Sequence, residues 1–137
     1  MRFSIGPLLQ LTREQITAIF AGHPYSQLKY VRGSYISAPA AGTALVQFTV
    51  PANMKAAVIA VLIDATEGNL FEIRWTSGGA AKSYRVRLPS DGVMVYDFRP
   101  GLNLDDPADP NTTISVVNVN AGSAGSSYKV DLLIGLW

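Results

Sequence analysis

The side chains able to do chemistry are few and scattered. There is one histidine, His23, set between Gly22 and Pro24, and no cysteine. Without thiols, disulfides, thiolate catalysis and cysteine metal sites are all excluded. One imidazole does not supply the several ligands of a typical metal centre, and the position of His23 suits a helix end. No sequence feature sets a serine beside that histidine, so a Ser-His pair is not expected. No two carboxylates are spaced as an acid pair for glycoside chemistry, and neither G-x-G-x-x-G nor a P-loop occurs. The expectation is no catalytic residue, no cofactor, no metal site and no enzyme.

Three groups remain. Asp105, Asp106 and Asp109, with Asn111, form the one acidic cluster. Hard cations favour such oxygens, but the spacing of an EF-hand and its distal Glu are absent. Asp-Pro and Pro-Asn are common turn formers, so a solvated loop is expected. Arg85 and Arg87 share a strand face with Ser83, and Arg74 with Glu72 is expected on another solvent face, as cross-strand charge pairs. The aromatics Tyr25, Tyr30, Tyr35, Trp75, Tyr96 and Trp137 are the ones that could stack on a sugar ring. By phase Trp75 belongs to the core, and Trp137 suits a subunit contact, where Trp and Tyr are enriched.

The elements that position these residues are strands. Ala56 to Ile63 reads Ala-Ala-Val-Ile-Ala-Val-Leu-Ile, bounded by Lys55 and Asp64. This run is far short of the about 20 residues that cross a bilayer, and its Val and Ile content predicts a central strand buried on both faces. Around it, Leu28–Ser37, Ala44–Val50, Phe71–Trp75, Tyr84–Leu88, Val93–Phe98, Thr112–Val119 and Ser127–Leu136 read as further strands, several with the period-2 alternation of a half-buried sheet. In the last of them Tyr128, Val130, Leu132, Ile134 and Leu136 share one face. Pro100–Asn111 is the longest irregular stretch.

Residues 1–26 differ. Thr12-Arg13-Glu14-Gln15 has capping-box spacing, and Leu11, Ile16, Ile19 and Phe20 recur at helical intervals before Gly22 and Pro24. This predicts one short helix over 13–21. Met1–Gln10, apolar with Gly6-Pro7 at its middle, reads as an extended arm, not as a signal peptide.

The whole is an all-β chain: an eight-stranded antiparallel β-sandwich over 27–137, of jelly-roll type, preceded by a short arm and one short helix over 1–26. The strand order stays open. Only 15% of residues are charged, well under the usual quarter, which leaves apolar surface for burial between subunits. With 11 basic and 10 acidic residues and no basic stripe, nucleic acid is not an expected partner, and no membrane segment is expected.

One further pattern is shared with a known group. An N-terminal arm precedes Val50-Pro51-Ala52-Asn53, which leads into the apolar strand. Val116-Val117-Asn118-Val119-Asn120 follows late in the chain, and Leu132-Leu133-Ile134-Gly135-Leu136-Trp137 comes last. Over 27–137 this plan resembles the small single jelly-roll structural proteins of viruses, above all the head decoration (auxiliary capsid) proteins of tailed phages. The resemblance implies a homotrimer in the virion that sits on capsid lattice points and cements the major capsid protein or other virion subunits. The contacts would fall to Phe3, Ile5, Leu8 and Leu9 of the arm and to Trp137. The alternative is a carbohydrate-binding or receptor-binding module on the same sandwich, which would expose two or three coplanar aromatics.

Overall fold

The computed structural model describes residues 25–137. The expected helix over 13–21, the arm over 1–10 and His23 lie outside the described residues. Every regular element among those described is a strand: β1 (Gln27–Val31), β2 (Ile36–Ser37), β3 (Ala44–Thr49), β4 (Ala56–Ala65), β5 (Asn69–Ser77), β6 (Ala80–Leu88), β7 (Gly92–Asp97), β8 (Thr113–Asn118) and β9 (Ser127–Leu136). The strands number nine, not eight. The expected strand Leu28–Ser37 is two, because the chain leaves β9 between Arg32 and Tyr35, where the Gly33 N–H turns to the Asp131 carboxylate at 2.9 Å.

The strands form two antiparallel sheets. One has the order β1-β9-β4-β7, with β2 also pairing β9; the other has the order β3-β8-β5-β6. Among the described strands only β5 and β6 are joined as a hairpin within a sheet; from β2 onward every other connection between them crosses to the opposite sheet. That alternation is the jelly-roll connectivity, which makes a sandwich from long-range pairings. The β5–β6 hairpin turns on Gly78 and Gly79, both at positive φ (59° and 76°), as a two-residue turn that matches the strand twist requires.

The core lies between the sheets. Tyr128, Val130, Leu132, Ile134 and Leu136 of β9 are all buried there, facing Phe71, Ile73 and Trp75 of β5 and Ile114 and Val116 of β8. The alternation read from β5 and β9 therefore sets their inner faces. In β4, Ala56 to Val61 are buried without a break, the expected signature of a strand covered on both sides.

β4 has more neighbours than β9 and β7 alone. A β-bulge falls between Val58 and Ala60, and the backbone it frees is taken up by the irregular stretch after β7. The Phe98 N–H donates to the Ile59 carbonyl and the Leu102 N–H to the Val58 carbonyl, both at 2.8 Å. Asn103, buried, accepts the Val58 N–H on Oδ1 at 2.8 Å and donates Nδ2 to the Ala56 carbonyl at 3.3 Å. Ala56 and Ala108 then pair as an isolated bridge. A side-chain carboxamide thus stands in for a missing strand, which satisfies buried groups that are costly to leave unpaired.

Candidate functional site

The outer face of the β1-β9-β4-β7 sheet is built from four rows that the strand register fixes. From one end they run Leu28–Gly135–Ala57, Tyr30–Leu133–Ala60–Asp97, Asp131–Leu62–Val95 and Lys129–Asp64–Val93. The first two rows are mostly apolar and the last two increasingly polar. Ile59, Ala60 and Leu133 form a second buried cluster, separate from the main core, against the partly buried Tyr25, Leu28, Tyr30, Leu62 and Val95. An outer sheet face in a sandwich is ordinarily solvated; here the bulge turns Ile59 to that side, and it is buried.

Tyr25 straps the apolar end. Its ring lies over Gly135 so closely that a Cβ there would run into it, and its hydroxyl donates to the Pro100 carbonyl. Burial pushes the Tyr25 phenol well above its ordinary range. Trp137 sits beside it, ring centroids 5.6 Å apart and planes tilted by 58°. The Trp137 backbone is fixed by reciprocal bonds with Lys55 at 2.8 and 3.1 Å. Of the five residues expected at a subunit contact, Trp137 is therefore placed at the rim of the apolar cluster; Phe3, Ile5, Leu8 and Leu9 lie outside the described residues.

The polar end is organised by two carboxylates. Asp131, 2% exposed, accepts from the Tyr30 hydroxyl and the Gly33 N–H, each at 2.9 Å, with Lys129 at 3.8 Å. Asp64 accepts from the Tyr35 hydroxyl at 2.5 Å, and that bond raises the phenol's pKa. Tyr35 is 60% exposed and Val93, in the same region, 63%.

The other outer face is different in kind. Glu72 on β5 is in register with Arg85 on β6. Its two oxygens are shared, Oε1 with Arg74 at 2.6 Å and Oε2 with Arg85 at 2.9 Å. These bonds, that of Arg74 first, hold the Glu72 carboxyl below its ordinary range. Arg74 and Arg85 were expected on separate faces; the register puts them on one, because one acid on an interior strand reaches both. Ser83 and Ser115 flank Arg74, so this surface is hydrophilic.

The acidic cluster is a turn. The Asp109 carboxylate accepts the Gly78 and Gly79 N–H groups, each at 3.0 Å, which lowers its pKa and ties the long loop to the β5–β6 hairpin. Asp105 and Asp106 are exposed, and the Asp106 carbonyl accepts from the Trp75 indole at 2.8 Å. Among the described residues no group of three His, Asp or Glu is placed to hold a metal. Among the described residues the aromatic pairs in contact are not coplanar: Tyr25 with Trp137 is tilted, Tyr84 with Phe98 meets at 82°, and Phe71 with Tyr128 is in the core.

Sequence reasoning missed Asn103 and the Tyr25 strap. Asn103 sits in a stretch that reads only as loop, and nothing in its neighbourhood marks it as buried. The contiguity of Ala56–Ile63 did signal a cover on the outer face, without naming it.

No protein-family model matches the chain, and no curated protein matches it by sequence. Among solved structures, the C-terminal family 22 carbohydrate-binding module of Clostridium thermocellum Xyn10B superposes with a TM-score of 0.42 at 13% identity, over 85% of this chain and 90% of that one. Tobacco streak virus coat protein superposes with a TM-score of 0.33, also at 13% identity, over 80% of this chain and 87% of that one. At these scores neither likeness bears on what this chain binds.

Proposed function

We propose that this chain is a non-enzymatic structural protein of a virion, a homotrimeric jelly roll that decorates or stabilises a capsid by contacts with the major capsid protein or other virion subunits. The observation that carries the reading is the second apolar cluster. Ile59, Ala60 and Leu133 make one end of the outer side of the β1-β9-β4-β7 sheet apolar, with a rim of half-buried Tyr25, Leu28, Tyr30, Leu62 and Val95. A rim of that kind is suited to packing against protein, since contact cores favour aromatic and aliphatic side chains over charge. Phe3, Ile5, Leu8 and Leu9, which precede Tyr25 in the sequence, are apolar as well. In this reading the rim makes the contacts within the trimer, those four residues make the contacts with the capsid, and Trp137 anchors the edge of the rim.

Solution mass tests it, measured by light scattering behind size exclusion on the full chain and on a chain lacking Met1 to Gln10. A trimer is expected in both, with the shorter chain folded but unable to bind capsid shells. A monomer in both overturns the trimeric reading and favours a binding module.

A further inference from the structure

At one end of the sandwich the β4–β5, β6–β7 and β8–β9 connections frame a cavity of about 460 Å³, lined by Glu67, Asn69, Arg87, Asn120 and Ser123 among others. Its walls are held rigidly. The Tyr128 hydroxyl, on a ring fully buried in the core, donates to Glu67 Oε2 at 2.6 Å, and the Ser123 N–H donates to the same oxygen at 3.0 Å. Asn69 is 8% exposed, and its carboxamide is fully used. Oδ1 accepts the Leu70 N–H at 2.7 Å and the Asn120 N–H at 3.3 Å, while Nδ2 donates to the Asn120 carbonyl and the Tyr128 hydroxyl, each at 2.8 Å. Asn118, wholly buried, donates to the same Asn120 carbonyl at 2.9 Å. Three buried polar side chains thus converge on one acid and one loop residue. The β4–β5 and β6–β7 connections touch directly, with Gly68 against the Pro89 carbonyl.

What this frame presents is a set of unused groups. Glu67 accepts from the Tyr128 hydroxyl and the Ser123 N–H on Oε2 and also from the Ser123 hydroxyl; a carboxylate has about four acceptor positions, so it keeps capacity to accept. The Tyr128 hydroxyl and then the Ser123 N–H hold this carboxyl below its ordinary range, so it is ionised at neutral pH. Arg87 is exposed and makes no ion pair with a described residue; only its carbonyl is engaged, by the Tyr96 hydroxyl. The Asn120 side chain is exposed, its backbone alone being held.

We infer that this cavity is a binding site for a neutral polyhydroxylated ligand, a sugar ring. An anion would be opposed by Glu67 and a cation by Arg87. A hydroxyl both donates and accepts, so vicinal hydroxyls satisfy the carboxylate, the guanidinium and the Asn120 carboxamide together. The fixed walls reduce the ordering cost of binding. With no aromatic face among the lining residues, recognition is by hydrogen bonds, and a single ring binds weakly, in about the millimolar range. None of the residues that line it belongs to the second apolar cluster.

The test is amide NMR on the full chain titrated with methyl glycosides of galactose, glucose, mannose and N-acetylglucosamine, with sodium sulfate as a separate probe. At least one glycoside is expected to shift amides of residues 66–69, 87–91 and 119–123. Arg87→Ala should weaken that binding roughly tenfold, the equivalent of one charge-assisted hydrogen bond, and Asn120→Ala about threefold to tenfold, the equivalent of a neutral one, with the melting temperature unchanged in both. Glu67→Gln should weaken it while leaving the sulfate response no smaller. If no glycoside moves these amides, if the shifts centre elsewhere, or if Arg87→Ala leaves the affinity unaltered, the inference is wrong. Sulfate competing for the same amides in the unaltered chain would overturn the neutral ligand class.

Discussion

Leu133 and Glu72 occupy similar places, each pointing outward from an interior strand of its sheet, yet their surroundings differ. Leu133 on β9 is fully buried among Ile59, Ala60 and the Tyr25–Tyr30 rim. Glu72 on β5 has its side chain 13% exposed, bridging Arg74 and Arg85, which are 51% and 57% exposed. One face is held by removal of apolar surface from water, which is worth roughly 25 cal/mol per Å². The other is held by ion pairs open to solvent, worth at most about 1 kcal/mol each. The difference teaches where this sandwich keeps its stability: the β1-β9-β4-β7 sheet is hydrophobic on its inner side and at one end of its outer side, the β3-β8-β5-β6 sheet on its inner side alone.

The most severe way to break that contrast is to shorten the outer leucine. Leu133→Ala is expected to lower the unfolding free energy by about 2–5 kcal/mol, the usual cost of truncating a buried leucine. Glu72→Ala, which removes both pairs, should cost less, at most about 2 kcal/mol. Urea denaturation of the two purified variants compares them directly. Equal losses would mean that the outer cluster is not a second core.

Asn103 comes next, because it supports the bulge that turns Ile59 to the outer side. Asn103→Ala leaves the buried Val58 N–H without its acceptor, at a cost of about 1–3 kcal/mol. Hydrogen exchange at Val58 should quicken along with the stability loss. Unchanged protection at that amide would show that a backbone carbonyl or water replaces the carboxamide.

Much of this arrangement was legible in the chain. The inner faces of β5 and β9 follow from strict alternation, and β9 occupies Ser127–Leu136 as its pattern implies. The double burial of β4 follows from its unbroken apolar run. The rest depends on contacts between residues far apart in sequence. Gln27–Val31 and Ile36–Ser37 read as one strand because the break is made by Asp131, 98 positions after Gly33. Arg74 and Arg85 read as belonging to different faces because only the β5–β6 register brings both to Glu72. Tyr25 reads as one of the aromatics that could stack on a sugar ring, and its role as a strap arises where β9 carries Gly135. The loop-end cavity was not legible at all: Glu67 and Asn120 come from two connections and Arg87 from the end of β6, and only the strand order brings them together.

Tyr25 and Gly135 sharpen the comparison from the side of packing. Gly135→Ala forces the ring off β9, with an expected cost of about 1–3 kcal/mol from overpacking. In a chain already carrying Tyr25→Ala the same change should cost much less, a non-additivity expected of residues in contact. Additive losses in thermal or urea unfolding would place the strain elsewhere.

The smallest expected effect separates the two faces by their response to solution conditions. Glu72→Gln should destabilise by less than about 1 kcal/mol at neutral pH, since both arginines are more than half exposed and solvent screens the pairs. Arg74, then Arg85, depress the folded-state pKa of Glu72. Its contribution is therefore present above the ordinary glutamate value and is lost as pH falls through the lower, folded value. The gap between the unaltered protein and Glu72→Gln should close in acid below the ordinary glutamate range, and should also shrink in high salt. The Leu133→Ala deficit is one of apolar packing, the neighbouring Tyr25 and Tyr30 phenols staying protonated in acid, and should persist through both changes. A Glu72→Gln gap that survived acid and salt would mean that Glu72 acts by packing, and the two outer faces would then be alike in kind.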